Sequence, residues 1–325
     1  MDDVTLNLLR TLVAIATPLL IAAVGETITE RAGVINLSLD GSLALSAMMG
    51  FGTAYLTGSV ELGLIVAMLS GMVVALIIAF ASIQLRLDQV AVGFVLTLLA
   101  ADIAEFLGGP ISGRPGPTVP YLPLPILRDL PIVGRIFFDH NALVYFSYIL
   151  VIGTWFWLFR TRSGLALRAL GERPEAAFAR GTRVNVQRYI YVLVGGALVG
   201  LAGASYSLGV KSGWLTPPAM LGDGWIALAI VIFGGWHPFR VLLGAYLFAG
   251  LRAIAGSFQG TGLSIPVPVL NSLPWVLMIV TLLLVSSGAI ERLLRILPRG
   301  MQYRLRNVLR SDPPRALGTR FDPEG

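Results

Sequence analysis

Cysteine is absent from the sequence, so neither a disulfide framework nor a thiolate metal site can form. Histidine occurs only at His140 and His237, too far apart in sequence to build a histidine-rich metal cluster. Charge is scarce too: 13% of residues are charged, against roughly 25% in a soluble globular domain. Lysine is nearly missing, Lys211 standing alone, so the formal net charge of +6 comes from arginine. There is no G-x-x-x-x-G-K-[ST] phosphate loop, which leaves the chain without an ATP site of that kind. No nucleophile with a base, and no paired metal ligands, stand at a spacing that would suit an intramembrane enzyme. The N-terminus has Asp2 and Asp3 where a removable signal peptide has basic residues, so the first apolar stretch is expected to be a retained helix.

What the sequence has is long apolar runs. Hydrophobic residues make up 55% of the 325, and a helix crossing a bilayer needs about 20 mainly apolar residues. Candidate runs fall at 6–24, 37–56, 62–83, 90–107, 143–159, 189–208, 225–235, 239–255 and 269–287. The expected fold class is an all-α polytopic membrane protein of about nine transmembrane helices (8–10). The run 225–235 is too short for a comfortable crossing and is expected to tilt, break or re-enter. Arginine collects at 160–188 and again from Arg292 to Arg310. Since loops on the cytoplasmic side retain an excess of Lys and Arg, both regions are expected there, which makes the arrangement N-out/C-in. The same rule reads the positive charge as a sign of orientation, with no nucleic acid as partner.

These assignments divide the chain into a transmembrane domain, 1–290, and a basic cytoplasmic tail, 291–325, expected to be partly disordered because the stretch after Ser311 is polar and proline-bearing. The domain includes an extracytoplasmic loop, 108–142, whose seven prolines from Pro110 to Pro131 prevent a continuous helix and suggest a structured cap. It also includes a charged cytoplasmic loop, 160–188.

An internal echo links two apolar runs. Placing Asp40 on Asp223 brings Gly41 to Gly224, Ala44 to Ala227, Leu45 to Leu228 and Gly52 to Gly235 without a gap. In the expected topology the two helices run in opposite directions, the pattern of inverted repeats, and glycine-interrupted segments in matching positions point to a translocation pathway. Asp40, Gly41, Asp223, Gly224 and Trp225 are the candidates. Two readings stand for the aspartates: each caps its own helix start, or the two starts lie at membrane depth and line the route. Gly196 and Gly200 form a GxxxG continued by Gly203, a surface for close helix packing either inside this chain or with a partner. Asp102 and Glu105 share a helix face near the outer end of the fourth run, as a structural pair or as proton carriers.

The loop 160–188 contains GERPEAAFARG, in which Pro174 suits a first helical turn, Glu175 puts negative charge at the helix start, Ala176 and Ala177 permit close approach, and Gly181 can end the helix. Glu175-Ala176-Ala177 with Gly181 resembles the EAA-xxx-G loop of ABC importer permeases, and Ile190 falls near that motif's later isoleucine, while its closing Leu-Pro is absent. GETITERAGVINLSLDG at 25–41, LPILRDLPIVGRIFFDHNALVY at 124–145 and GGALVGLAGA at 195–204 are similar to the nucleoside and simple-sugar branch of the branched-chain amino acid, ribose and nucleoside permease superfamily.

The resemblance implies a multi-pass permease of the cytoplasmic (inner) membrane, moving nucleosides or simple sugars by alternating access. Its implied partners, besides membrane lipid, are a cytoplasmic ATPase subunit that holds ATP and Mg, a second related permease in a heterodimer, and an extracytoplasmic substrate-binding lipoprotein. No cofactor is expected on this chain, and Glu175, Ala176, Ala177 and Gly181 would belong to the helix that couples to the ATPase. The alternative is a proton-coupled secondary transporter using Asp102 or Glu105.

Overall fold

A computed structural model of the chain describes residues 3–258, 267–286 and 313–322. Among these residues the fold is all helical. Its elements are α1 (Asp3–Arg31), α2 (Leu39–Thr57), α3 (Val60–Ala79), α4 (Gln89–Gly108), α5 (Val133–Phe137), α6 (Ala142–Arg160), α7 (Arg162–Glu172), α8 (Pro174–Ala179), α9 (Val184–Ala204), α10 (Asp223–Gly234), α11 (Pro238–Phe258) and α12 (Val267–Ser286). Each of the nine expected apolar runs falls mainly on one of these helices; residue 287 lies outside the described residues. Among the described residues, five helices are long and apolar enough to cross a membrane by length and composition: α1, α4 and α6, and α3 and α9 with their short π-helical extensions, 80–84 and 205–210.

Helix α1 extends past the expected end at residue 24, through the polar stretch Gly25 to Arg31. The reason is burial inside protein. From Ala16 to Glu30 every residue is buried, so α1 is enclosed on all faces and its carboxylates meet partners there. Glu26 accepts a hydrogen bond from the Asn36 backbone N–H at 3.2 Å, and Glu30 accepts from the indole N–H of Trp236.

Around α1 the bundle is drawn tight by glycine. On α9, Gly195 crosses Gly25 of α1, Gly196 and Gly200 cross Gly71 of α3, and Gly203 lies on the backbone of α2 at Leu43 and Ala47. A Cβ at Gly200 would overlap the Ala67 carbonyl oxygen. The small-residue surface therefore packs inside the subunit, where backbones in near contact supply the dispersion that holds membrane helices together. By contrast, α3 and α4 expose Ile65, Leu69, Val73, Val95, Leu98 and Phe106, an apolar surface suited to lipid or to another membrane chain.

The bundle has two distinguishable ends. At the proline-rich end, the loop 108–142 folds down on the start of α1. Buried Asp139 pairs with Arg128 at 3.1 Å and Arg10 at 3.4 Å and accepts from the Tyr121 hydroxyl, which ties the loop to α1. At the basic end sit Arg31, the α3–α4 turn with Arg86, the helices α7 and α8, and Trp236. Residues 313–322, expected to be disordered from their composition, also pack there. The Ala316 N–H donates to the Gly171 carbonyl at 2.8 Å, and Phe321 is buried beside Leu170, Ala177 and Val184. Composition misleads at this point because one aromatic side chain and a few backbone hydrogen bonds fix a polar segment.

Candidate functional site

Helix α10 has 12 residues, about 18 Å at 1.5 Å each, well short of the roughly 30 Å of a bilayer core. Its last turn is tied to the basic end, where Arg31 Nη2 donates to the Trp236 carbonyl at 3.1 Å. Its first turn therefore ends part-way along the bundle. The chain reverses at both ends of α10 through glycines of positive φ, Gly222 (94°) and Gly235 (59°).

That first turn meets the first turn of α2 head to head. Asp40 Oδ1 accepts from the backbone N–H of Gly222 at 2.8 Å and of Gly224 at 3.0 Å. A Cβ at Gly224 would overlap the backbone of Asp40, so glycine is what lets the two starts touch. The carboxylate thus caps a helix, but the partner is α10 and not its own α2. Asp223 is used differently, since its carboxylate takes both terminal nitrogens of Arg252 on α11, one at 2.7 Å. Asp223 is buried, with 1% of its side chain exposed, while Arg252 keeps 27% of its side chain open toward the cavity. A charge in this setting persists only with a partner, and here each aspartate has one.

The remaining candidates surround this junction. Gly41 is pressed against the backbone of Thr97 on α4, whose hydroxyl donates to the Leu37 carbonyl at 2.7 Å. Trp225 is half-buried, its ring tilted against Phe94 of α4 with centroids 6.3 Å apart. From the proline-rich side, a cavity of about 440 Å³ reaches down to Asp223 and Arg252, walled by Tyr206, Trp214, Lys211 and Arg114. It adjoins a cavity of about 750 Å³ through Ile15, Val210, Lys211 and Ser212. The larger cavity is lined mostly by polar residues, among them Arg10, Asp139 and His140, and the smaller one ends on the Asp223–Arg252 pair, so the combined recess offers hydrogen-bonding groups along its length.

At the basic end, α8 presents Glu175, Ala176 and Phe178 to solvent and turns Ala177 inward. Gly181 closes it with φ of 84°, its N–H donating to the Phe178 carbonyl at 2.8 Å. The helix α7 before it went unread in the sequence. Nearby His237 lies against Phe159, and burial, with Arg240 and Arg31 close by, pushes its imidazole below the ordinary range, so it is neutral at physiological pH. Asp102 and Glu105 sit apart from both features, Asp102 exposed on α4 and Glu105 half-buried.

Residues 8–286 match the family described as the branched-chain amino acid transport system permease component. The chain belongs to this family. Among the permease's relatives are a Haloferax volcanii protein provisionally named a glucose ABC transporter permease, 40% identical over 264 residues, 80% of each chain. A nucleoside ABC transporter permease of Lactococcus lactis is 34% identical over 291 residues, 85% of this permease and 90% of that protein. A guanosine ABC transporter permease of Bacillus subtilis is 35% identical over 286 residues, 82% and 88% of the two chains. The permease is therefore a multi-pass membrane component of an ABC transporter.

Proposed function

We propose that this permease imports nucleosides or simple sugars across the cytoplasmic membrane by alternating access, driven by a partner ATPase that receives α8. The observation that carries the reading is the extent of its likeness to permeases named for guanosine, nucleoside and glucose, over most of both chains in each case. A further support is local: Glu175, Ala176 and Phe178 project from a short helix that a soluble partner can reach. In this reading nine helices cross the bilayer, the basic end is cytoplasmic, and the proline-rich end with its cavities faces outward.

The route descends through the recess to the junction of α2 and α10, treated as starts of inverted repeats. Head-to-head helix starts in matching positions of two repeats are parts that transporters move against one another. The solute would pass between Arg114, Lys211 and Tyr206 before reaching Asp223 and Arg252. Two relatives add a partner: the chain is also similar to a second nucleoside permease of L. lactis, 29% over 104 residues, and a second guanosine permease of B. subtilis, 24% over 248 residues. A heterodimer of two related permeases, with a substrate-binding lipoprotein against the loop 108–142, accounts for that pairing. The proton-coupled reading loses ground with family membership, and Asp102 and Glu105 stand away from the recess.

The test is affinity purification from native membranes in mild detergent, for the wild type and Glu175→Arg, followed by vesicle uptake of labelled adenosine, uridine and glucose. An ATPase and a second permease should come with the wild type, and the ATPase should be lost from the variant. A chain that emerges alone and moves solute down a proton gradient would overturn the reading.

A further inference from the structure

Residues 313–322 are fastened on two sides. On one side are α7 and α8: Ala316 N–H donates to the Gly171 carbonyl at 2.8 Å, and the Phe321 ring meets the Phe178 ring edge-on at 5.6 Å between centroids. On the other side are the connector between α1 and α2 and the turn between α3 and α4. There the Gly318 N–H donates to the Gly33 carbonyl at 3.1 Å, and Asp322 pairs with Arg86 at 2.6 Å. Buried Arg188 strengthens the second attachment, its Nε donating to the Ala32 carbonyl at 3.1 Å and its Nη1 to the Thr319 carbonyl at 3.4 Å.

What the segment joins gives it a use. Helix α8 packs on α7 and the start of α9, and Phe321 fills the small apolar cluster with Leu170, Ala177 and Val184 that seats it. The connector on the far side leads within a few residues to Asp40, which holds the first turn of α10. A displacement of α8 can reach that connector directly through 313–322, without passing along the length of a bundle helix.

We propose that residues 313–322 are a transmission strap between α8 and the α1–α2 connector, with Phe321 as the positioning residue that keys the strap to α8. This rests on the reading of α8 as the seat of the ATPase. An ordinary structural staple would lower the amount of folded complex and leave each surviving complex equally efficient. A transmission element lowers the solute moved for each ATP spent by complexes that are fully assembled.

The experiment uses the whole transporter in proteoliposomes, with labelled adenosine, uridine and glucose as probes and phosphate release measured on the same vesicles. Wild type, Phe321→Ala, Phe321→Tyr and a truncation lacking 313–325 are compared. Phe321→Ala and the truncation should retain the ATPase at wild-type stoichiometry and go on hydrolysing ATP. Uptake per ATP should fall by at least about fivefold, the lower end of usual coupling between sites. Phe321→Tyr, which keeps the edge-on ring, should restore the ratio. Should the truncation fail to fold, Phe321→Ala carries the test alone. Unchanged uptake per ATP in Phe321→Ala overturns the strap, as does a parallel loss of ATPase, hydrolysis and uptake. A wild type that takes up none of the probes in an ATP-dependent way overturns the importer reading itself, and the strap's role with it.

Discussion

Replacing Asp40 separates hydrogen-bond geometry from charge at the junction. Both donors, Gly222 N–H and Gly224 N–H, converge on one oxygen, Oδ1. Asn keeps an oxygen there and gives up only the charge that favours the positive end of α10, a loss of about 1 kcal/mol. Ala removes the acceptor and leaves two buried N–H groups unpaired, each costing about 1–3 kcal/mol; with the lost charge the total is about 3–7 kcal/mol. The gap of about 2–6 kcal/mol is about 30-fold or more in the folding equilibrium. Purified protein in mild detergent, titrated with a denaturing detergent and followed by circular dichroism, measures both variants on one scale. Asp40→Asn should unfold near wild type and Asp40→Ala far earlier. Equal loss in the two would mean that charge, not the acceptor, holds α10. A cost below about 1 kcal/mol for Ala would mean that water already reaches the helix start.

Two further substitutions test the interior. Gly200→Ala should cost about 1–3 kcal/mol by forcing α3 and α9 apart, while Gly153→Ala on α6, with nothing within 4 Å of the added carbon, should unfold like wild type in the same titration. Neutralising Arg252, which leaves the buried Asp223 carboxylate unpaired, should cost about 3–5 kcal/mol, and neutralising Asp223 should cost less because Arg252 is partly open to the cavity. The double Asp223→Asn, Arg252→Gln variant should cost less than the two singles added, and a double-mutant cycle with no coupling would remove the pair from the account.

The sequence reveals periodic and repeated features well. Nine apolar runs become helices, the short one is a single 12-residue helix bounded by positive-φ glycines, and the Asp40–Asp223 echo marks two helix starts that touch. It reveals pairing poorly, because the partner of a buried charge sits wherever the bundle brings it. Arg252 looks like any arginine in an apolar run until α11 lies beside α10. The polar end of α1 reads as a helix stop, since only the folded bundle supplies Asn36 and Trp236 to its glutamates. Whether Gly196 and Gly200 face a partner or a sister helix is likewise decided by what lies opposite, and Gly71 does. Helix α8 was legible from Pro174 and Gly181 because its start and stop are written locally.

The cap on α10 also sets a timetable for biosynthesis. Asp40 and the groups it binds are separated by 182 and 184 residues, so at roughly 5–20 residues per second the ribosome needs about 10–40 seconds to deliver the second after the first. Throughout that interval the nascent first half holds an ionisable side chain at the head of α2 without its final partner. Until α10 arrives, the Asp40 carboxyl has to be hydrated, shielded by the insertion machinery or held neutral by a proton. The first half cannot complete its own interior; the permease closes around Asp40 only when its second half has been made.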